Sequence, residues 1–167
     1  MEEIVNRVAK SPLVSIDLEE YLDKGEQVIF DLADVLFQGM ILREKDFRQF
    51  VKENDWAVYR GKNVGLVCTA EAIVPTWSYM LLATSIGPYA NLVTYGDEGE
   101  IEKVLIDHAI EKLILENDLD GKKVVIKGCS NLNNTEYANT RIAQKLFPIV
   151  SRLMYGEPCS VVPIYKK

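Results

Sequence analysis

Short apolar runs alternate with longer amphipathic stretches over the last two-thirds of the chain. Runs rich in β-branched residues predict buried strands at 64–67 and 124–127. Residues 98–116 carry apolar side chains at helical spacing, and the predicted inner face of this helix consists of Ile101, Val104, Leu105, Ala109 and Leu113. The alternation predicts an α/β fold with a mainly parallel sheet and right-handed crossovers, the 98–116 helix being one of them.

An internal repeat organises this part of the chain. Residues 61–97 align without gaps on residues 121–157. The identical pairs are Gly61/Gly121, Lys62/Lys122, Val64/Val124, Ala83/Ala143, Pro88/Pro148, Tyr95/Tyr155 and Gly96/Gly156. Each copy is predicted to be a βαβ unit, since the matches lie at its turns and strand ends. Convergent turn chemistry in two ordinary βαβ units also explains the matches and predicts the same topology.

The repeat also decides where the last helix ends. The predicted strand, helix and strand lie at 64–67, 76–86 and 91–95 in the first copy and at 124–127, 135–147 and 150–155 in the second. Asn133 or Asn134 is expected to cap the second helix. Residues 135–154 alone also fit one long helix kinked at Pro148. By analogy with Pro88, the helix should end before Pro148 and a strand should follow.

The segment 1–60 predicts less regular structure. Strands are expected at 13–16 and 27–30, with a short third strand at 40–42, and a helix at 43–53. No linker rich in Pro, Gly or Ser separates this segment from the repeat. The sequence therefore predicts one three-layer domain over 1–167, with an irregular N-terminal β/α part (1–60) and a repeated βαβ part (61–167).

Residues 72–96 form an uncharged run of transmembrane length. Pro75, Gly87 and Pro88 interrupt it, and no Lys or Arg flanks it to anchor an orientation. It is predicted to be a buried helix followed by a buried strand, so no membrane partner is expected. The Thr76–Ile86 helix is apolar on nearly every face, which predicts that it is covered on both sides, in the core or in a homo-oligomer interface.

Composition narrows the classes of partner and site. The chain has 25 acidic and 19 basic residues, a net charge of −6, and no basic block, which argues against a nucleic-acid partner. Its start, Met1-Glu2-Glu3, lacks the pattern of a secretory signal, so a reducing cytoplasmic location is expected. A single histidine excludes multi-histidine metal sites.

The three cysteines follow predicted strands. Cys68 ends the strand at 64–67, Cys129 follows the strand at 124–127 by one glycine, and Cys159 follows the strand at 150–155. All three are therefore expected at the carboxyl edge of one parallel sheet, where open α/β sheets bind ligands. Three thiolates suit Zn²⁺, iron or an iron–sulfur cluster.

A fourth metal ligand is expected from a glutamate. Glu71 is the first candidate, because a carboxylate placed between Ala70 and Ala72 is predicted to need a polar partner. Glu157, two residues before Cys159, is the second candidate.

Two other hypotheses stay open. In the first, the chain is an oligomeric scaffold or interaction module whose cysteines are inert and buried, since free cysteine commonly fills core space. In the second, it is a sulfur-transfer enzyme that uses Cys129 as a nucleophile or persulfide carrier, because the thiol stands between a strand and a helix.

Four segments resemble an uncharacterised family of small bacterial proteins of unknown function: 41–47 (ILREKDF), 72–77 (AIVPTW), 127–130 (KGCS) and 155–160 (YGEPCS). The resemblance covers nearly the whole chain, and the last two segments are the most distinctive. It implies no activity. It does imply a link to iron–sulfur assembly proteins, beside which members of the family are often encoded. The leading expectation is therefore a metal- or cluster-binding accessory protein rather than a conventional enzyme.

Overall fold

A computed structural model describes residues 13–128, 131–157 and 159–167. In chain order its strands and α-helices are β1 (Leu13–Ile16), β2 (Gln27–Asp31), α1 (Glu44–Glu53), β3 (Asn63–Val67), α2 (Thr76–Ile86), β4 (Leu92–Tyr95), α3 (Glu98–Glu116), β5 (Lys123–Ile126), α4 (Thr135–Leu146), β6 (Arg152–Glu157) and β7 (Ser160–Lys166). Three short 3-10 helices cover Leu18–Tyr21, Leu32–Val35 and Trp56–Tyr59. The α/β class and the mainly parallel strand pairing are confirmed.

The chain divides into two compact units. Unit 1 contains the residues up to Asp23 together with Leu105–Lys167, and unit 2 contains Lys24–Val104. Unit 2 is thus inserted in the sequence of unit 1, and the boundary falls within α3.

The strands form two sheets, whereas the sequence predicted one. Unit 2 holds a three-stranded parallel sheet in the order β2-β3-β4, and unit 1 holds a four-stranded sheet in the order β1-β5-β6-β7. The cause is that each copy of the repeat pairs with its own strand from the N-terminal part, so that β3 and β5 have neighbours on both sides. Consequently α3 links a strand of one sheet to a strand of the other, and the predicted crossover within one sheet is wrong.

The repeat extends to backbone hydrogen bonds. Every residue pair between β3 and β4 has its counterpart, in the same register of the repeat, between β5 and β6. The turns before β3 and β5 also match, since Gly61 donates its N–H to the Tyr89 carbonyl (3.2 Å) and Gly121 donates to the Ile149 carbonyl (3.0 Å). Both glycines have positive φ, 73° and 64°, a conformation that side chains with a Cβ rarely adopt.

The strands predicted at 13–16 and 27–30 both form, as β1 and β2, and each is the first strand of one unit. The sequence did not predict that the two are equivalent. Asp17 follows β1, and Asp31 is the last residue of β2. Each caps a 3-10 helix by accepting a hydrogen bond from the N–H two residues later. β1 pairs in parallel with β5 as β2 pairs with β3. A complete unit is therefore a strand, an aspartate cap and a βαβ segment.

Most other predicted elements are present, with three differences. The helix after Asn134 ends at Leu146, before Pro148, and the strand that follows is parallel to β5, as predicted. The strand predicted at 40–42 does not form, since Ile41 makes only isolated bridges. β7 was not predicted; it pairs antiparallel with β6 at the edge of the sheet. Asn134 stands at the N-cap of α4 without a side-chain capping bond.

Helix α2 is buried on one face only, which corrects the prediction that it is covered on both sides within the core. Ser78, Leu82 and Ile86 are buried, whereas 70% of Met80 is exposed. Trp77 contacts Phe47 of α1, with ring centroids 5.9 Å apart. No helix in the described part of the chain is long and apolar enough to cross a membrane.

Candidate functional site

The carboxyl edge of the three-stranded sheet brings Asp31, Cys68, Thr69 and Tyr95 to the ends of three adjacent strands. The carboxylate of Asp31 accepts hydrogen bonds from the N–H and the hydroxyl of Thr69, the former at 3.1 Å, and from Ala33 N–H at 2.9 Å. Asp31 therefore fixes the loop after β3 to the end of β2.

The pKa of Asp31 lies below its usual value. Burial is the largest influence and raises the pKa, but the hydrogen bonds from Thr69 and Ala33 favour the charged carboxylate and together outweigh it. Asp31 is therefore a structural anion at neutral pH, and its acceptor positions are used by the protein itself.

An open cleft of about 530 Å³ lies at the same edge of unit 2. Its lining residues are Cys68, Ala70, Ala72, Val74, Thr76, Tyr79 and Tyr95. The rings of Tyr79 and Tyr95 meet edge to face, 5.4 Å between centroids. The half-buried thiol of Cys68 donates a weak hydrogen bond to the Ala70 carbonyl at 3.7 Å. Burial raises the pKa of Tyr79, and the nearby Cys68 and Tyr95 raise it further, so the phenol stays neutral at pH 7.

Glu71 lies on the loop between β3 and α2 and is exposed to solvent. The prediction that it needs a polar protein partner is wrong, because water reaches the carboxylate directly. Its neighbour Ile73 is 92% exposed, so this part of the loop is a solvated surface rather than a buried shell.

The corresponding edge of the four-stranded sheet carries the other predicted ligands. Glu157 is the last residue of β6, and Cys159 lies in the turn to β7; both side chains are exposed. Glu19, beyond the end of β1, accepts hydrogen bonds from Asn131 through its N–H (3.1 Å) and its side-chain amide (2.6 Å). This carboxylate fixes the chain near the end of β5 as Asp31 does in unit 2.

The predicted three-cysteine set is divided between the two sheets. Cys68 follows β3 of the three-stranded sheet, whereas Cys159 follows β6 of the four-stranded sheet. The expectation that all three thiols lie at the edge of one sheet is therefore wrong. Cys129 lies outside the described residues. Among the residues that are described, no three His, Cys, Asp or Glu side chains form a group able to hold a metal ion.

A polar cluster links α3 and α4 inside unit 1. Asp107 accepts hydrogen bonds from the hydroxyl of Tyr137 and from Nε of Arg141, both at 2.8 Å. Burial raises the pKa of Tyr137, and its hydrogen bond to the Asp107 carboxylate raises it further. This cluster orients one helix against the other and lies apart from the sheet edge.

The sequence analysis does not predict the link between Asp31 and Thr69 at the edge of the three-stranded sheet. Asp17 and Asp31 do have a sequence signal, because each is the aspartate of a Val-x-x-Asp-Leu pattern that occurs in both N-terminal strands. Thr69 and Tyr79 had none, because their roles depend on which strands are adjacent.

Comparison with known proteins gives one family. A family model matches residues 2–167, and its description is "Protein of unknown function (DUF2480)". No curated protein and no solved structure matches the chain.

Proposed function

The chain belongs to the DUF2480 family, whose description assigns no function, and we propose from its own residues that it is an accessory protein that binds a soft metal ion or an iron–sulfur cluster. Cys159, in the turn between β6 and β7, and Cys129 are the proposed thiolate ligands. Glu157 completes the set. Zinc, iron and iron–sulfur clusters all accept thiolates together with a carboxylate.

The observation that carries the proposal is the parallel pairing of β5 with β6. Ile126 at the end of β5 is in register with Tyr155 of β6. Cys129 follows Ile126 by three positions in the sequence, and Cys159 follows Tyr155 by four. Neighbouring strands lie about 4.8 Å apart, so Ile126 and Tyr155 lie side by side at the same edge of the sheet. This is the edge at which α/β sheets bind ligands.

The exposed position of Cys159 supports a role in transfer rather than in structural stabilisation. A structural zinc site is closed and buried, whereas an exposed thiolate can pass its metal or cluster to a partner by ligand exchange. Iron–sulfur assembly proteins in the cytoplasm are the partners that fit this role, since thiolate ligands need a reducing compartment. No conventional catalytic reaction is part of the proposal.

The experiment is anaerobic purification of the full chain followed by metal and acid-labile sulfide analysis. The wild-type protein is expected to carry metal, and sulfide distinguishes a cluster from a single ion. The Cys129→Ser and Cys159→Ser variants should each lose the bound metal. A metal-free wild type, or unchanged metal content in both variants, would overturn the proposal.

Cys68→Ser is the matched comparison, because Cys68 belongs to the other unit. In the two-thiolate form that we favour, this variant keeps its metal, as does Glu71→Gln, whereas Glu157→Gln binds it more weakly. Loss of metal in Cys68→Ser would contradict the two-thiolate site, because Cys68 belongs to the other unit.

A second copy of the chain is the partner that we propose for α2. The helix contains no charged residue, and its exposed face presents Met80 between Thr76 and Thr84. A helix face without charged residues can be covered by a second copy without burying an unpaired charge. The self-association is independent of the metal site and is tested separately.

A further inference from the structure

A cavity of about 280 Å³ lies in unit 1 between α4 and the four-stranded sheet. Apolar side chains of β5, β6, β7 and α4 form most of its wall, among them Ile126, Leu153 and Ile164. Two polar side chains also line it, Asn139 of α4 and Tyr155 of β6. A largely apolar cavity with a few polar groups is the usual composition of a small-molecule site.

The repeat explains why there is space at this position. In the alignment of the two copies, Asn139 is the counterpart of Tyr79 in α2, and Tyr155 is the counterpart of Tyr95. In unit 2 the Tyr79 ring packs edge to face against Tyr95. In unit 1 an asparagine replaces that ring, so the space beside the Tyr155 ring is available to a ligand.

The Tyr155 hydroxyl lies close to the backbone at Gly128. A Cβ added to Gly128 would lie 3.1 Å from the Tyr155 hydroxyl oxygen, closer than about nine in ten real Cβ contacts. A larger residue at position 128 would therefore push the hydroxyl away. The hydroxyl and the Asn139 amide provide both donors and acceptors.

The lining side chains and the volume of the cavity determine which charge and size of ligand it can bind. The described residues that line the cavity include no acidic or basic side chain, so a carboxylate or ammonium that enters it would lose hydration without gaining an ion partner. A cavity of about 150 Å³ holds benzene, so 280 Å³ accommodates a substituted monocyclic or small bicyclic aromatic.

We propose that this cavity binds a neutral aromatic molecule with one uncharged hydrogen-bonding group, which Asn139 and Tyr155 recognise. The ligand occupies the position that the Tyr79 ring holds in the other unit. The proposal uses none of the cysteines and stands independently of metal binding.

The test is a binding titration of the full chain with benzamide, indole and benzoate, followed by protein-observed NMR. Benzamide and indole should bind and shift the signals of Tyr155 and Ile164, while benzoate should bind on the order of 100-fold more weakly because its charge loses hydration without gaining an ion partner. Equal binding of benzoate, or no binding of either neutral probe, would overturn the proposal.

Asn139→Tyr fills the cavity with the side chain that unit 2 already accommodates, and should abolish binding of both neutral probes. Tyr79→Phe, at the equivalent position of unit 2, is the matched control and should bind them as the wild type does. If Asn139→Tyr does not fold, Ala143→Leu narrows the same cavity and should weaken binding by at least about tenfold, or ~1.4 kcal/mol. Retained affinity in the folded variant would contradict the proposal.

Discussion

The carboxylate of Asp31 binds both the N–H and the hydroxyl of Thr69, and so joins the ends of β2 and β3 in unit 2. Asparagine caps a helix about as well as aspartate, so Asp31→Asn should keep the cap and weaken only the charge-assisted bonds to Thr69. We expect the free energy of unfolding to fall by about 1–2 kcal/mol, measured by denaturant titration. Asp17 is the equivalent cap in unit 1, and Asp17→Asn should change the free energy of unfolding by less than about 0.5 kcal/mol.

The same carboxylate predicts a pH dependence. The pKa of Asp31 in the folded protein lies below the usual value of 3.8, so its contribution to stability is complete above pH 3.8 and is lost as the pH falls through the lower folded value. The stability difference between wild type and Asp31→Asn should therefore shrink on acidification below 3.8. An unchanged difference at low pH would show that the charge of Asp31 is not what stabilises the loop.

Tyr137 predicts a separate effect at high pH. Burial and the hydrogen bond to Asp107 raise its pKa above 10.0, so the neutral phenol stabilises the fold below pH 10 and that contribution disappears as the pH rises through the folded value. Tyr137→Phe should cost about 1 kcal/mol at pH 7, and the difference should vanish at high pH. Asp107→Asn should lower the pKa of Tyr137, measured from phenolate absorbance. If that pKa did not change, the bond to Asp107 would not be its cause.

Self-association through α2 is tested at Met80, which is 70% exposed. Met80→Glu places a charge on the uncharged face and should convert an oligomer to monomer in analytical ultracentrifugation. Leu115 of α3 is 85% exposed and provides the control, since Leu115→Glu should leave the oligomer intact. A wild-type monomer, or an oligomer that persists in Met80→Glu, would exclude this interface.

The thiols should differ in their response to metal. Cys159 is exposed and Cys68 is half-buried, so alkylation of the metal-free protein should modify Cys159 faster. Zinc should slow the modification of Cys159 and leave the rate at Cys68 unchanged, as measured by mass spectrometry of the labelled peptides. Equal protection of both thiols would contradict a site formed by Cys129 and Cys159 without Cys68.

The local sequence pattern predicts most of the helices and strands, but it does not predict which strands pair. The repeat identified both βαβ segments and the strand after Pro148, because Gly, Pro and apolar periodicity act locally. The division into two sheets was missed, since β1 and β2 carry no signal of which copy they pair with. β7 was not predicted, and its Pro163 is a residue that disfavours strands. Pro163 lies beside a register shift on an edge strand, where proline is tolerated.

The candidate site was predictable only in part, for the same reason. The strand after Pro148 was the condition for Cys159 to follow β6 at the carboxyl edge, and it is present. That Cys68 lies in another sheet follows from long-range pairing alone. The cavity beside Asn139 could not be predicted from the sequence, because it depends on how α4 packs on its sheet. The alignment of the repeat does mark its position, since Asn139 stands where the first copy has Tyr79.

The most direct test of metal binding is X-ray absorption at the metal edge of the anaerobically purified protein. We predict a sulfur shell at about 2.3 Å that loses scattering atoms in Cys159→Ser and in Cys129→Ser and is unchanged in Cys68→Ser. A metal surrounded only by nitrogen and oxygen, or a sulfur shell that both variants retain, would contradict thiolate binding by Cys129 and Cys159.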